Sequence, residues 1–130
     1  MPAATTKEKL KSLLARDREI NISVIGRKSG REVSRPVWFV LEGDKLDLLP
    51  VQGSDTQWYQ NLLRNAWIRV STRSAEGEFQ GTSITDPKVV SSEVEKFRDK
   101  YGARDVKKYY SKFDVAVVVD LAAGVIEAKG

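Results

Sequence analysis

The sequence predicts an α+β fold, a barrel of about six mainly antiparallel strands with three to four flanking helices. Three observations carry that prediction. Short strand-like runs follow one another through turns rather than through helices. Helical periodicity is confined to the N-terminus, to a segment after the third strand and to a region before the last strands. Neither a βαβ alternation nor a Gly-x-Gly-x-x-Gly run occurs, which disfavours a doubly wound nucleotide-binding sheet. No repeat or linker interrupts the 130 residues, so residues 1–130 are expected to form one domain.

Taken in order, Thr5-Thr6-Lys7-Glu8 has capping-box spacing, Thr5 with Glu8. Leu10, Leu13 and Leu14 follow at helical intervals and predict a helix over 6–16. Asn21-Ile22-Ser23-Val24-Ile25 alternates with strand period, and Gly26 closes it. Lys28-Ser29-Gly30 is a polar turn. Residues 33–41, rich in Val, Trp and Phe, predict one long strand, in which Pro36 marks an edge position or a bulge. Glu42-Gly43-Asp44-Lys45 is a tight hairpin turn, and 46–51 is its return strand. Gly53-Ser54-Asp55-Thr56 breaks the sheet. Ser54 or Asp55 can cap a helix ending near Arg64, with Trp58/Leu62 and Tyr59/Leu63 as i,i+4 pairs. Residues 66–72 and 78–85 predict two strands joined through Ala75-Glu76-Gly77. Asp86-Pro87 starts a helix whose apolar face is Val90, Val94, Phe97 and Tyr101 and whose stop is Gly102. A short helix over 105–111 and strands over 115–121 and 125–128 complete the chain.

Composition narrows the chemistry. Hydrophobic residues are 41% of the chain and charged residues 31%, so a packed core is expected and disorder is not. The longest apolar runs are too short to span a bilayer, so no transmembrane segment is expected. The first residues carry no apolar signal core and the chain has no Cys, which fits a cytoplasmic location. Without Cys there is no thiolate nucleophile or thiolate metal site. Without His, Ser-His-Asp hydrolysis is excluded and a zinc enzyme is disfavoured; no metal site is expected. A bound organic cofactor needs none of these side chains. The net charge of +4 suits an anionic partner, the alternative being a generally basic surface.

The turn Gly26-Arg27-Lys28-Ser29-Gly30-Arg31 offers fixed positive charges, a hydroxyl and glycines that let backbone N–H groups approach an anion. Arg27 and Arg31 can grip phosphate oxygens bidentately and Lys28 acts as a point charge, while Arg31, Val33 and Arg35 share a strand face. The alternative is a solvated basic hairpin. Pro50-Val51-Gln52-Gly53-Ser54-Asp55-Thr56 runs into a helix N-terminus and suits the polar edge of a ring, the alternative being ordinary capping. Trp58 can wall an aromatic cofactor, Tyr59 does so or joins the core, and Trp38 and Trp67 are packing residues. Tyr109 or Tyr110 can hydrogen-bond a substrate and relay a proton, or serve packing.

In their order and spacing these pieces resemble the deazaflavin-dependent (coenzyme F420) nitroreductases. The resemblance rests on Gly26-Arg27-Lys28-Ser29-Gly30, Pro36-Val37-Trp38-Phe39 with Gly43-Asp44, 49–56, Trp58-Tyr59-Gln60-Asn61-Leu62, Ile68-Arg69-Val70 and Val115-Ala116-Val117. It covers roughly 22–119 and implies a split β-barrel. It implies an F420-dependent oxidoreductase that passes a hydride from the reduced deazaflavin to a small-molecule redox substrate such as a nitro compound, quinone or enone. Arg27, Lys28, Ser29 and Arg31 would hold the phosphate and acidic tail, and Gly30, Arg35 and Pro36 would contact the cofactor beside them. Val51, Gln52, Gly53 and Ser54 would line the ring or ribityl region and Trp58 the ring, with Tyr109 and Tyr110 near the substrate. FMN is the alternative cofactor, and a monomer or homodimer is expected. A third reading is a non-enzymatic basic barrel holding a nucleotide or nucleic acid through 27–35. Exposed stacking aromatics are few, so nucleic acid is not the expected partner.

Overall fold

Apolar residues alternate along most of the strands, and that alternation decides which face turns inward. The structure, a computed structural model, describes residues 6–72, 75–123 and 125–128. The chain runs α1 (Thr6–Arg16), β1 (Ile20–Ile25), β2 (Glu32–Val37), β3 (Phe39–Glu42), β4 (Lys45–Leu48), α2 (Gln57–Arg64), β5 (Trp67–Ser71) and β6 (Ala75–Ile84). It continues with α3 (Pro87–Tyr101), α4 (Ala103–Tyr109), β7 (Ala116–Asp120) and β8 (Val125–Ala128). The strand order is β2-β1-β5-β6-β7-β4-β3, and β8 lies beside the first half of β6. All of these strand pairs are antiparallel.

The two edge strands of that order are neighbours in sequence, with Trp38 alone between them. The chain itself therefore joins the two edges of the sheet, and the sheet curls into a split β-barrel. Ile22, Val24, Phe39, Leu46, Leu48, Ile68, Val70, Phe79, Val117 and Val119 fill the inside, with Leu10 and Leu14 of α1 and Trp58, Tyr59 and Leu62 of α2. A second core lies outside the barrel wall. There Val90, Val94, Phe97 and Tyr101 of α3, with Val106 and Tyr110, cover Trp38, Val40, Ile84 and Ala116. Among the described residues no helix is long and apolar enough to cross a membrane.

Several expected boundaries hold and others move. The first helix spans 6–16 as expected; the Thr5–Glu8 capping box lies outside the described residues. Asp86 caps α3, its side chain accepting from the Lys88 N–H, Pro87 follows, and Gly102 ends the helix with φ 93°. Pro36 sits on the edge strand, where a missing N–H is tolerated. The hairpin turn at Gly43-Asp44 has its positive φ at Gly43.

The expected strand over 33–41 is two strands. Tyr101 divides it: its ring stacks on Trp38 with centroids 4.2 Å apart, and its hydroxyl accepts from the Phe39 N–H at 3.1 Å. The same hydroxyl donates toward the carbonyls of Arg18 and Phe39 at 2.7 and 2.9 Å. These contacts carry the chain from one edge of the sheet to the other. This division and the pairing of β8 give eight strands among the described residues, where about six were expected. Ala75-Glu76-Gly77 is strand rather than turn, because β5 and β8 flank it on both sides. The cap of α2 is Thr56 rather than Ser54 or Asp55, which lie in a 3-10 turn; the Thr56 hydroxyl instead accepts the Gln52 N–H at 2.8 Å.

Candidate functional site

The strand break at Trp38, the loop after β4, the first turn of α2 and the end of α4 meet around one cleft of about 510 Å³. That volume falls within the roughly 300–1,000 Å³ of small-molecule sites. Pro36, Val37 and Trp38 form one wall and Leu49, Val51 and Gln52 another. Trp58, Tyr109 and Tyr110 supply further aromatic surface, and Glu19, Arg35, Thr56 and Gln57 complete the lining. Trp38 is thus more than the packing residue expected. One face stacks on Tyr101, Tyr109 meets it edge-on at 5.5 Å, and it still borders the cleft. Tyr59 belongs to the core, its hydroxyl bonded to that of Ser83 at 2.6 Å.

A latch brings the tyrosines to this place. The Ser111 N–H donates to the Val51 carbonyl at 2.8 Å, and Gln52 pairs with Lys112 in an isolated bridge. The Ser54 N–H and hydroxyl both donate to the Asp114 carboxylate, at 2.9 and 2.5 Å, and Lys112 reaches Asp55 at 3.2 Å. Asp114 is held below its ordinary pKa because the Ser54 hydrogen bonds and the Lys112 charge outweigh its partial desolvation. Gly53 is required here: its φ is +54°, and a Cβ would lie 2.1 Å from Asp114 Oδ1. Gly53 and Ser54 therefore serve the latch and do not line the cleft, whereas Val51 and Gln52 do.

Tyr110 is buried against Trp38 and Phe97, and among the described residues its hydroxyl has no hydrogen-bond partner. Burial, followed by the nearby Tyr101, pushes its pKa up, so the phenol keeps its proton at neutral pH. Tyr109 is exposed at the cleft's edge.

The basic turn is closed by three hydrogen bonds of its own. The Gly26 N–H donates to the Arg31 carbonyl, the Gly30 N–H to the Gly26 carbonyl and the Arg31 N–H to the Ser29 hydroxyl. The N–H groups of Gly30 and Arg31 are therefore committed within the turn, whereas those of Lys28 and Ser29 have no partner among the described residues, so the turn offers an anion its charge and those two donors. Arg27 is bound by α2. Its N–H and Nη1 donate to Asn61 Oδ1 at 3.1 and 2.7 Å, and its Nη2 donates to Gln57 Oε1 at 2.8 Å. Lys28, Ser29, Gly30 and Arg31 are exposed and do not line the cleft, while Arg35 does. Among the described residues, Arg27, Lys28, Arg31 and Arg35 form no ion pair, although other cations of the chain pair readily. Gln57, Asn61, Glu19 and the latch residues Ser111, Lys112 and Asp114 were missed in the sequence. Gln57 and Asn61 did leave a signal, a polar i,i+4 pair on an otherwise apolar-faced helix.

Residues 10–120 match the family described as "Uncharacterized protein conserved in bacteria (DUF2255)". The chain belongs to the DUF2255 family. No curated protein matches it. Solved structures place this DUF2255 chain in a wider company by fold. HutZ, the heme storage protein from Vibrio cholerae, has a TM-score of 0.71 at 10% identity, covering 98% of this chain and 96% of that one. An F420 reductase has a TM-score of 0.63 at 20% identity, with 85% and 90% covered. An F420-H2 dependent reductase, FDR-A, has a TM-score of 0.58 at 15% identity, with 78% and 93% covered. The DUF2255 chain thus shares the split-barrel fold with reductases and with a heme protein alike.

Proposed function

We propose that the chain is an F420-dependent oxidoreductase of the nitroreductase kind. The observation that carries the reading is an aromatic-walled cleft lined by Arg35 and, through Gln57, one hydrogen bond from Arg27, near a turn whose Arg27, Lys28 and Arg31 form no ion pair among the described residues. A deazaflavin with a phosphodiester and an acidic tail needs both. Trp38, Trp58 and Tyr109 offer apolar ring surface, and Gln52 a polar edge. Arg27, Lys28, Arg31 and Arg35 offer a row of charge rather than a single phosphate pocket.

When bound, the reduced cofactor supplies the hydride. The chain's own residues exclude water from the cleft and hold an acceptor against the ring, an effect of the order of several kcal/mol. Tyr110, whose phenol stays protonated, donates a proton to the acceptor atom that gains charge, with Tyr109 or a water as the other donor. The acceptor thereby gains a hydride and a proton. Its class is an electron-poor organic molecule such as a nitro compound, quinone or enone. FMN, the alternative, carries one phosphate, which would use less of the cationic row. Titration of the protein with F420 and with FMN tests the reading. Binding of F420 at micromolar concentration is expected, and binding of neither would remove it.

A further inference from the structure

We infer that Gln57 and Asn61 are positioning residues that hold Arg27 at the cleft's rim as an unneutralised cation, and so make the site prefer a ligand that bears a phosphate. The inference rests on the cofactor reading above and adds the residues that set its selectivity.

Three observations carry it. Two side-chain amides fix the guanidinium through its two terminal nitrogens, at 2.7 and 2.8 Å, and among the described residues the rest of the donor fork stays open. Asn61, on the buried face of α2, also accepts the Arg27 backbone N–H, so main chain and side chain are gripped by one atom. Gln57 lines the cleft while touching Arg27, so the guanidinium lies one hydrogen bond from the cavity.

The chemistry of the clamp is what distinguishes it. Arg69 is held in the contrasting way, by carboxylates. Arg69 faces Glu32 at 2.8 Å, Glu76 at 3.6 Å and Glu78 at 4.0 Å. At Arg27 the partners are instead neutral amides, whose shapes match Asp and Glu. A carboxylate there would hold the arginine as firmly and cancel its charge. The amides orient it and leave the charge for an outside anion.

The test measures the affinities of FMN against riboflavin, and of F420 against its phosphate-free deazariboflavin core, by fluorescence. Wild type is compared with Gln57→Glu and Asn61→Asp. Gln57 is exposed, so its variant does not burden folding. Wild type is expected to favour each phosphorylated form. Gln57→Glu should lower the affinity for each phosphorylated form roughly tenfold or more beyond any change it makes in the affinity for the phosphate-free ring. A merely structural role would move both affinities and the unfolding midpoint together. Preserved preference in both variants, or equal affinity of wild type for the two forms of each pair, overturns the inference and leaves the cofactor reading standing. If wild type binds none of the four compounds, the cofactor reading falls and this inference with it.

Discussion

Tyr110 shows how one side chain's surroundings assign it a task. Its ring is buried, its hydroxyl is unpartnered among the described residues, and its pKa is pushed up. A phenol in that state keeps its proton and does not act as a base; whether it passes that proton to an acceptor, as proposed above, is what its removal tests. Tyr110→Phe should therefore lower turnover about a hundredfold, in line with general-acid contributions, while cofactor affinity stays near wild type. Unchanged turnover in both Tyr110→Phe and Tyr109→Phe would remove tyrosine from proton delivery. Asp47 makes a separate prediction about stability. It is buried on the outer face of β4 against Glu93 and Lys96 of α3, with Glu42 of β3 also near. Burial, then the hydrogen bond and charge of Glu93, raise its pKa to about 7, against the pull of Lys96. Lys96 itself is held above its ordinary value, because the carboxylates outweigh its desolvation. The folded chain thus keeps a proton that the unfolded chain loses near pH 3.8. That stabilisation is full below the unfolded value and is lost as pH rises through about 7. Wild type should lose thermal stability between pH 5 and about 7, and Asp47→Asn should flatten that slope; equal slopes would contradict the assignment. Lys100, lowered to about 8 by burial and then by Arg18, acts in the opposite sense above that pH, so the window is kept below it.

At the scale of elements, the site depends on tying the segment after α4 to the loop after β4. Asp114→Ala removes the acceptor for both Ser54 donors and should cost about 1–2 kcal/mol of stability, since exposed partners are replaced by water. Amide exchange at Ser54 and Ser111 should accelerate and cofactor affinity should fall; unchanged exchange would show that the latch does not hold the tyrosines. The latch was illegible in the sequence because its halves lie 60 residues apart and neither has a distinctive local pattern. A similar separation, 62 residues, hid the strand break at Trp38, whose cause is Tyr101, and Pro36 signalled only an edge or bulge within 33–41. By contrast, α3 was legible at both ends. Asp86-Pro87 and Gly102 act through local backbone chemistry that no distant contact overrides. Gly77 misled in the other direction: it reads as a turn residue but packs within β6 between Val70 and Ile126.

For the whole molecule, sheet curvature and charge act together. Joining β2 to β3 through one residue closes the barrel and brings the Trp38 wall beside the loop from β4 and the start of α2. The residues that wall the cleft were legible by type, as aromatic and basic side chains in an ordered series. What neutralises the arginines, and what leaves Arg27 free, required the fold. On the proposed function, this cleft and the basic side chains near it hold an anionic deazaflavin. A fluorescence titration with F420, run on wild type beside the Arg27→Ala/Lys28→Ala double variant, tests it most directly. Micromolar binding by wild type is expected, with a loss of roughly tenfold or more in a variant that remains folded at the assay temperature despite losing the Arg27 bonds to Asn61 and Gln57. Absence of micromolar binding by wild type, or equal affinity in the variant, would contradict it.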